Sequence, residues 1–192
     1  MKVEPIREKE IIKQCIIYLK NKNPRNAILF MIGIYTGLRI GDILRLKVKD
    51  VYNKNYIYIK QEKTRKYVDI PINSELKKAL KEFCKDKDKN TYLIESRELD
   101  KYGNKKAISK DQAYKILNSM AEELHLDRIG THSLRKTAGY HLYYSSGKDI
   151  VTVMRILGHQ HESMTLKYIG VTSEDTVKQM RKLSYFKWII EF

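Results

Sequence analysis

Cysteine is scarce in this chain: Cys15 and Cys84 are the two among 192 residues, too few for a disulfide framework. Each stands among apolar residues at helical spacing, which predicts two buried thiols. Long apolar runs are missing as well. The longest, residues 27–35, has nine residues, whereas crossing a bilayer takes about 20. The first ten residues, MKVEPIREKE, are charged and do not read as a signal peptide. No internal repeat and no low-complexity linker interrupts the chain. These absences fit a reducing cytoplasm and no membrane. Acidic residues are the minority: 23 against 38 basic ones, a net charge of +15. That balance suits a polyanionic partner such as DNA, with a membrane surface second, although an AT-rich genome also enriches lysine. A chain of this length buries one good core, so one compact domain is the default.

Periodicity places the elements. Ile12, Cys15, Ile16 and Leu19 mark a helix over 7–20. Asn23-Pro24 reads as an N-cap followed by proline at the first helical position, and the helix over 24–36 is apolar nearly all round, hence central. Gly37 is its C-terminal cap, and a short helix follows over about 41–46. Period two takes over at Tyr56-Ile57-Tyr58-Ile59 and again at Val68, Ile70 and Ile72, giving a hairpin with residues 61–66 (QEKTRK) as its polar connection. A helix over 74–84, a short strand at 91–94, a basic loop over 95–110 and a helix over 111–125 capped by Ser109 or Asp111 come next. Three helices are expected over 133–145, 148–157 and 162–169, then a polar helix over 173–183 and an apolar tail. The reading is a mainly helical α+β domain with a small antiparallel β-sheet at one edge.

The densest chemistry lies in residues 131–170. His132-Ser133-Leu134-Arg135 is followed after 24 residues by His159, in Leu157-Gly158-His159, and nine residues later by Tyr168. Upstream stands Thr36-Gly37-Leu38-Arg39-Ile40-Gly41-Asp42. Two arginines, two histidines and a tyrosine make sense together on a phosphodiester. Guanidinium stays charged and matches phosphate oxygens in pairs, imidazole moves protons near neutral pH, and a phenol is a nucleophile once its proton is taken.

At these residues the sequence resembles the tyrosine recombinases, or phage integrase family, from about Arg25 to Ser173. The family pattern is an arginine in a TGLR-like block, a lysine on a β-hairpin, H-x-x-R, L-G-H and a tyrosine, all present here in order. The resemblance implies that Tyr168 attacks a DNA phosphate to form a 3′-phosphotyrosyl link. Arg39 and Arg135 would clamp the non-bridging oxygens. Lys63, eight residues before Pro71, would be the general acid, with Lys60 and Lys66 as rivals. His132 would relay the tyrosine proton or hold Tyr168 and a phosphate oxygen, and His159 would donate to a phosphate oxygen. Asp42 would orient an arginine or histidine, or simply sit as an acid near a helix N-terminus. DNA contacts are expected from Lys60 and Lys66 on the hairpin and from Lys101, Lys105, Lys106 and Lys110, mostly to phosphates. His125, His141 and His161 have no family counterpart and read as structural or exposed. No metal and no cofactor is implied, since His159-x-His161 lacks the further ligands a zinc site needs.

Many family members carry an additional N-terminal domain; here only about 20 to 35 residues precede the catalytic blocks. The expected organisation is therefore a catalytic domain over 1–184 without a separate N-terminal DNA-binding domain, similar either to small single-domain integrases or to a larger integrase cut down to this part. Residues 185–192 form an apolar tail, with Phe186, Trp188 and Ile190 at period two, that docks in cis or is exchanged between protomers. The resemblance further implies double-stranded DNA as partner, a homo-oligomer on DNA (a dimer per site, a tetramer at synapsis), no membrane, and a cytoplasmic enzyme of bacterial or phage origin. The expected function is site-specific strand exchange without metal or ATP. The alternatives are a type IB topoisomerase-like enzyme that relaxes DNA, and a catalytically silent DNA-binding accessory protein.

Overall fold

A computed structural model describes residues 3–171 together with Asp175, Val177, Met180 and Arg181. The polar helix expected over 173–183 falls largely outside the described residues, and the tail at 185–192 does so wholly. Among the described residues no helix is long and apolar enough to cross a membrane.

The fold is organised by two helices, α1 (Lys9–Lys22) and α2 (Pro24–Thr36). Asn23 joins them: its N–H donates to Leu19 O, closing α1, and its side chain accepts from Arg25 N at 3.0 Å, opening α2. α2 is buried on nearly all sides and divides the core. Ile28, Leu29 and Ile32 enter one apolar cluster, while Ala27 and Phe30 enter a second with Cys15 and Leu19 of α1. Each of the leucine, isoleucine and phenylalanine side chains contributes about 1.5–3 kcal/mol on burial. Both cysteines are buried thiols, pushed up by burial to about 12 for Cys15 and about 11 for Cys84.

The first cluster is completed by α3 (Ile40–Leu44), α4 (Val48–Val51), β1 (Tyr56–Lys60), β2 (Tyr67–Pro71) and α5 (Ser74–Cys84). β1 and β2 pair antiparallel, from Tyr56 opposite Pro71 to Lys60 opposite Tyr67. Ile57 and Ile70 face the core, whereas Tyr58 and Tyr67 face solvent. The one-turn α4 has no periodic signature in the sequence.

Two expectations fail in the next stretch. Residues 91–94 contribute only an isolated bridge, Lys47 to Tyr92, and the anticipated loop over 95–110 contains β3 (Glu95–Leu99) and β4 (Lys105–Ala107), paired antiparallel. Among the described residues there are thus two separate two-stranded sheets, a finer division of the small antiparallel sheet expected at one edge. The second hairpin escapes a hydrophobic pattern because its strands are mostly polar and exposed. Its turn is built by Asp100, whose Oδ1 accepts from Tyr102 N and Asn104 N, both at 2.8 Å, a local motif that needs no apolar face.

α6 (Lys110–Glu123) begins in a capping box of Ser109 and Gln112. α7 (Thr131–Ser145), α8 (Ile150–Leu157) and α9 (Glu162–Ile169) follow. α7 packs along α2 because Gly33 offers no side chain: a Cβ there would lie 2.6 Å from Leu134 Cδ1. Likewise a Cβ on Gly139 would lie 2.7 Å from Ile169 Cγ2. Val153, Leu157 and Ile169 make a third, small cluster there.

Candidate active site

Arg39 is placed by the end of α2. Gly37, at φ 64°, turns the chain out of the helix, so that Leu38 is buried and Arg39 becomes the extended residue before α3. Its Nη1 donates to Gln61 Oε1 at 3.1 Å. One turn on, Asp42 is 1% exposed. Its Oδ1 accepts from Arg45 Nη2 at 2.7 Å and from Glu62 N at 2.8 Å, and its Oδ2 has no partner among the described residues. Asp42 therefore orients Arg45 and the backbone of the 61–66 turn, and makes no hydrogen bond to Arg39 or to either histidine. That turn presents Lys63 to a cavity of about 450 Å³ that is also lined by Arg39, Asp42, Lys110, His132 and Arg135.

α7 supplies His132 and Arg135, three residues apart and hence on one face. Its first turn is closed by Gly130 N donating to Ser133 Oγ at 3.1 Å. Arg135 is 3% exposed and donates through Nη1 to Gly37 O and through Nη2 to Leu157 O. These carbonyls lie at the C-terminal ends of α2 and α8, where helices leave acceptors unmet and partial negative charge gathers. Burial first, then Arg39, push the Arg135 guanidinium down to about 10, so it remains a cation at neutral pH.

α8 ends at Gly158, φ 58°, delivering His159. Its Nδ1 lies 3.1 Å from Thr165 Oγ1, the fully buried hydroxyl of α9, which leaves Nε2 for other work. The His159 ring meets Tyr168 edge to face, centroids 4.9 Å apart at 86°. On Tyr168 the Lys136 ammonium lies 5.4 Å from the ring centroid, and that ammonium donates to Val3 O at 2.7 Å. Burial raises the Tyr168 phenol, while Arg135, then Arg39, and hydrogen bonding from Arg135 lower it. Burial lowers His132, helped in order by Arg135, Arg39, Lys136 and Lys63; burial, Arg135 and Arg39 lower His159. Both imidazoles are accordingly neutral at neutral pH.

The geometry brings together Arg39, Asp42, Lys63, His132 and Arg135 around the cavity, and His159 and Tyr168 beside Arg135. Of the lysines expected on DNA, Lys110 lines the cavity and pairs with Glu62 at 3.3 Å. Lys60 lies over the Tyr67 ring, 5.3 Å from its centroid, and Lys101 over that of Tyr102, at 4.8 Å. Lys105 and Lys106 pair with Glu95 and Glu98 at 3.2 and 3.7 Å, exposed pairs of little energetic weight. Lys66 is exposed beyond the turn. His141 is structural, its Nε2 3.0 Å from Ile6 O. Sequence reasoning overlooked Gln61 and Thr165. Their signals were available: Gln61 continues the inward row of Ile57 and Ile59 at period two, and Thr165 shares a helix face with Tyr168.

A buried Arg135, a half-buried Arg39, a hairpin lysine and His132 around one cavity, with the His159 imidazole and the Tyr168 phenol beside Arg135, are groups suited to handling a phosphodiester. The sequence matches the phage integrase family over residues 5–175. It is 45% identical over 181 residues to the probable integrase/recombinase YoeC of Bacillus subtilis (strain 168), covering 94% of this chain and 96% of that protein. It is 25% identical to the tyrosine recombinase XerA of Thermococcus onnurineus (strain NA1), covering 95% of this chain but 64% of that one. The fold matches the crystal structure of the XerH site-specific recombinase bound to palindromic difH substrate, a post-cleavage complex, with a TM-score of 0.72 at 22% identity, over 94% of this chain and 53% of that chain. The chain belongs to the phage integrase family of tyrosine recombinases, which are DNA strand-exchange enzymes. It spans 64% of the XerA relative and about half of the XerH chain.

Proposed function

We propose that the chain is a site-specific DNA recombinase in which Tyr168 is the nucleophile. The Tyr168 oxygen attacks a scissile phosphorus, forming a 3′-phosphotyrosyl bond as the bond to the 5′-oxygen breaks. Lys63 gives its proton to that leaving oxygen, because an alkoxide is a strong base. The neutral His132 and His159 are available to take the phenol proton or to bind a phosphate oxygen. Arg39 and Arg135 meet the charge that gathers on the non-bridging oxygens in the transition state, where fixed cations lower the barrier more than they favour the ground state. The freed 5′-hydroxyl of another strand reverses the step, and one phosphodiester replaces another of similar energy. Double-stranded DNA is the partner; Lys60, Lys66, Lys101, Lys105, Lys106 and Lys110 touch its phosphates. Assembly in the cytoplasm as a dimer per site and a tetramer at synapsis, with the 185–192 tail docked in cis or passed between protomers, completes the reading.

The observation that carries it is the convergence of Lys63, Arg39, His132 and Arg135 on one cavity, with Arg135 and Arg39 both acting on Tyr168. The comparisons lend no weight to a topoisomerase-like enzyme. The test is covalent trapping on nicked duplexes tiled across the DNA that flanks the gene. A denaturant-resistant protein–DNA adduct is expected with the wild-type chain and none with Tyr168→Phe, which keeps the ring and its packing. An adduct that survives in the Phe variant assigns the nucleophile elsewhere.

A further inference from the structure

The inward row of β1 runs Ile57, Ile59 and then, at the same period, Gln61. Gln61 is 5% exposed although the connection around it, Glu62, Lys63, Arg65 and Lys66, is exposed. A buried amide is retained only with its hydrogen bonds made. Gln61 Oε1 accepts from Arg39 Nη1 at 3.1 Å and from Thr64 Oγ1 at 2.8 Å. Its backbone closes the turn: Gln61 N donates to Lys66 O at 2.9 Å and Gln61 O accepts from Arg65 N at 3.0 Å. The next residue, Glu62, donates its N–H to Asp42 Oδ1 at 2.8 Å. The turn that presents Lys63 is therefore fastened to the Arg39–Asp42 block at two consecutive residues.

The chemical type of this partner matters. A guanidinium is a planar fork, so holding one nitrogen sets the direction of the others. A carboxylate in that place would orient Arg39 too, but would cancel the charge that the phosphate needs. An amide oxygen orients without neutralising. Resting on the roles proposed above for Arg39 and Lys63, we infer that Gln61 is a positioning residue: its carbonyl aims the Arg39 guanidinium at the scissile phosphate, leaves its charge intact, and couples it to the turn bearing Lys63.

Two variants test this. Gln61→Met keeps the length and removes the acceptor; Gln61→Glu keeps the acceptor and adds a negative charge. In the DNA-free protein, nitrogen-15 spectra of the guanidinium groups, with the Arg39 signal assigned by its loss in Arg39→Lys, should show Arg39 held in wild type and in Gln61→Glu but rotationally averaged in Gln61→Met. On the tiled duplex that wild type cuts, single-turnover cleavage at saturating protein should slow roughly 10–100-fold in both variants, through about 1 Å of misplacement in Gln61→Met and through cancelled charge in Gln61→Glu, with DNA affinity within about 3-fold. A methylphosphonate at the scissile position carries no charge to clamp, so on it the Gln61→Met defect should shrink to within about 3-fold. An unchanged Arg39 signal in Gln61→Met overturns the inference. So does cleavage at the wild-type rate, or an equal defect on both substrates. If thermal melts show that Gln61→Met is misfolded, Thr64→Val, which frees Gln61 from its second bond, must reproduce the effect at about 2–10-fold or the inference fails. Should wild type form no adduct on any duplex, the recombinase roles fail, while the Arg39 signal still decides whether Gln61 holds the guanidinium.

Discussion

Burial raises the Tyr168 phenol above its ordinary value, and Arg135, then Arg39, pull it back. The balance is still upward, so the phenol rests protonated at neutral pH, and as the proposed nucleophile it must lose its proton as it attacks. On the opposite side of the phosphorus the leaving oxygen must gain one. Lys63 is the ammonium that lines the cavity from the hairpin turn, while Lys60 is drawn over the Tyr67 ring. Removing a general acid matters only when the leaving group is basic. Lys63→Ala is therefore expected to slow cleavage of ordinary DNA by roughly 10²–10⁴-fold, and a substrate with sulfur at the 5′-bridging position, which departs as a thiolate, should be cut at nearly the wild-type rate. Equal defects on the two substrates in single-turnover assays would move the role to Lys60 or Lys66.

Helices here are held at working distance by what two glycines omit. Gly33→Ala puts a Cβ 2.7 Å from Leu134 Cβ as well as against its Cδ1, and the displaced atoms lie at the base of their side chain, where yielding moves α7 itself. A loss of about 1–3 kcal/mol in denaturant unfolding is expected. Gly139→Ala presses on Ile169 and on Leu157 Cδ1, at 3.0 Å. Ile169 neighbours Tyr168 and Leu157 O receives Arg135, so this variant should lose stability by a similar amount and also cleave more slowly, whereas restored activity at wild-type stability would detach the glycine from the site. The same elements show what a sequence discloses. α2 and α5 were legible because each carries a long apolar face or a terminal cap: Pro24 and Gly37 bracket the first, and Leu76, Leu80 and Cys84 line the second. His132, Arg135 and His159 were named by the family resemblance carried by H-x-x-R and L-G-H, and in the fold three residues on a helix and a capping glycine set their direction. β3 and β4 stayed hidden because two mostly polar strands have no apolar row to alternate. Asp42 was expected to orient an arginine or a histidine or to sit as an acid near a helix N-terminus, and only the tertiary fold brings Arg45 and Glu62 N together on its Oδ1. Gln61 was passed over because a polar residue in a polar turn reads as solvated, although its period placed it inward.

Across the whole molecule three histidines share one electrostatic bias. His132 faces Arg135, Arg39, Lys136 and Lys63, His159 faces Arg135 and Arg39, and His141 faces Lys9 and the Ile6 carbonyl; burial is the leading cause of the lowered value in each. A histidine whose folded value lies below its unfolded value of about 6.5 binds fewer protons folded than unfolded. Folding stability is then whole above about pH 6.5 and falls as pH drops through that value toward the folded ones. The melting temperature of the free chain should decline between pH 7.5 and 5.5, and His132→Gln or His159→Gln should flatten the decline. DNA reverses the sign at two of the three: a phosphate beside His132 and His159 favours their charged forms, while His141, held at Ile6, lies with the N-terminal segment. Binding should therefore take up protons. Affinity for DNA should rise as pH falls from 8 to 6, with calorimetry in two buffers of different ionisation heat giving a positive proton count that His132→Gln and His159→Gln each reduce and His141→Gln leaves unchanged. A proton count of zero, or one that depends on His141 alone, would separate these imidazoles from the phosphate and remove them from the proposed chemistry.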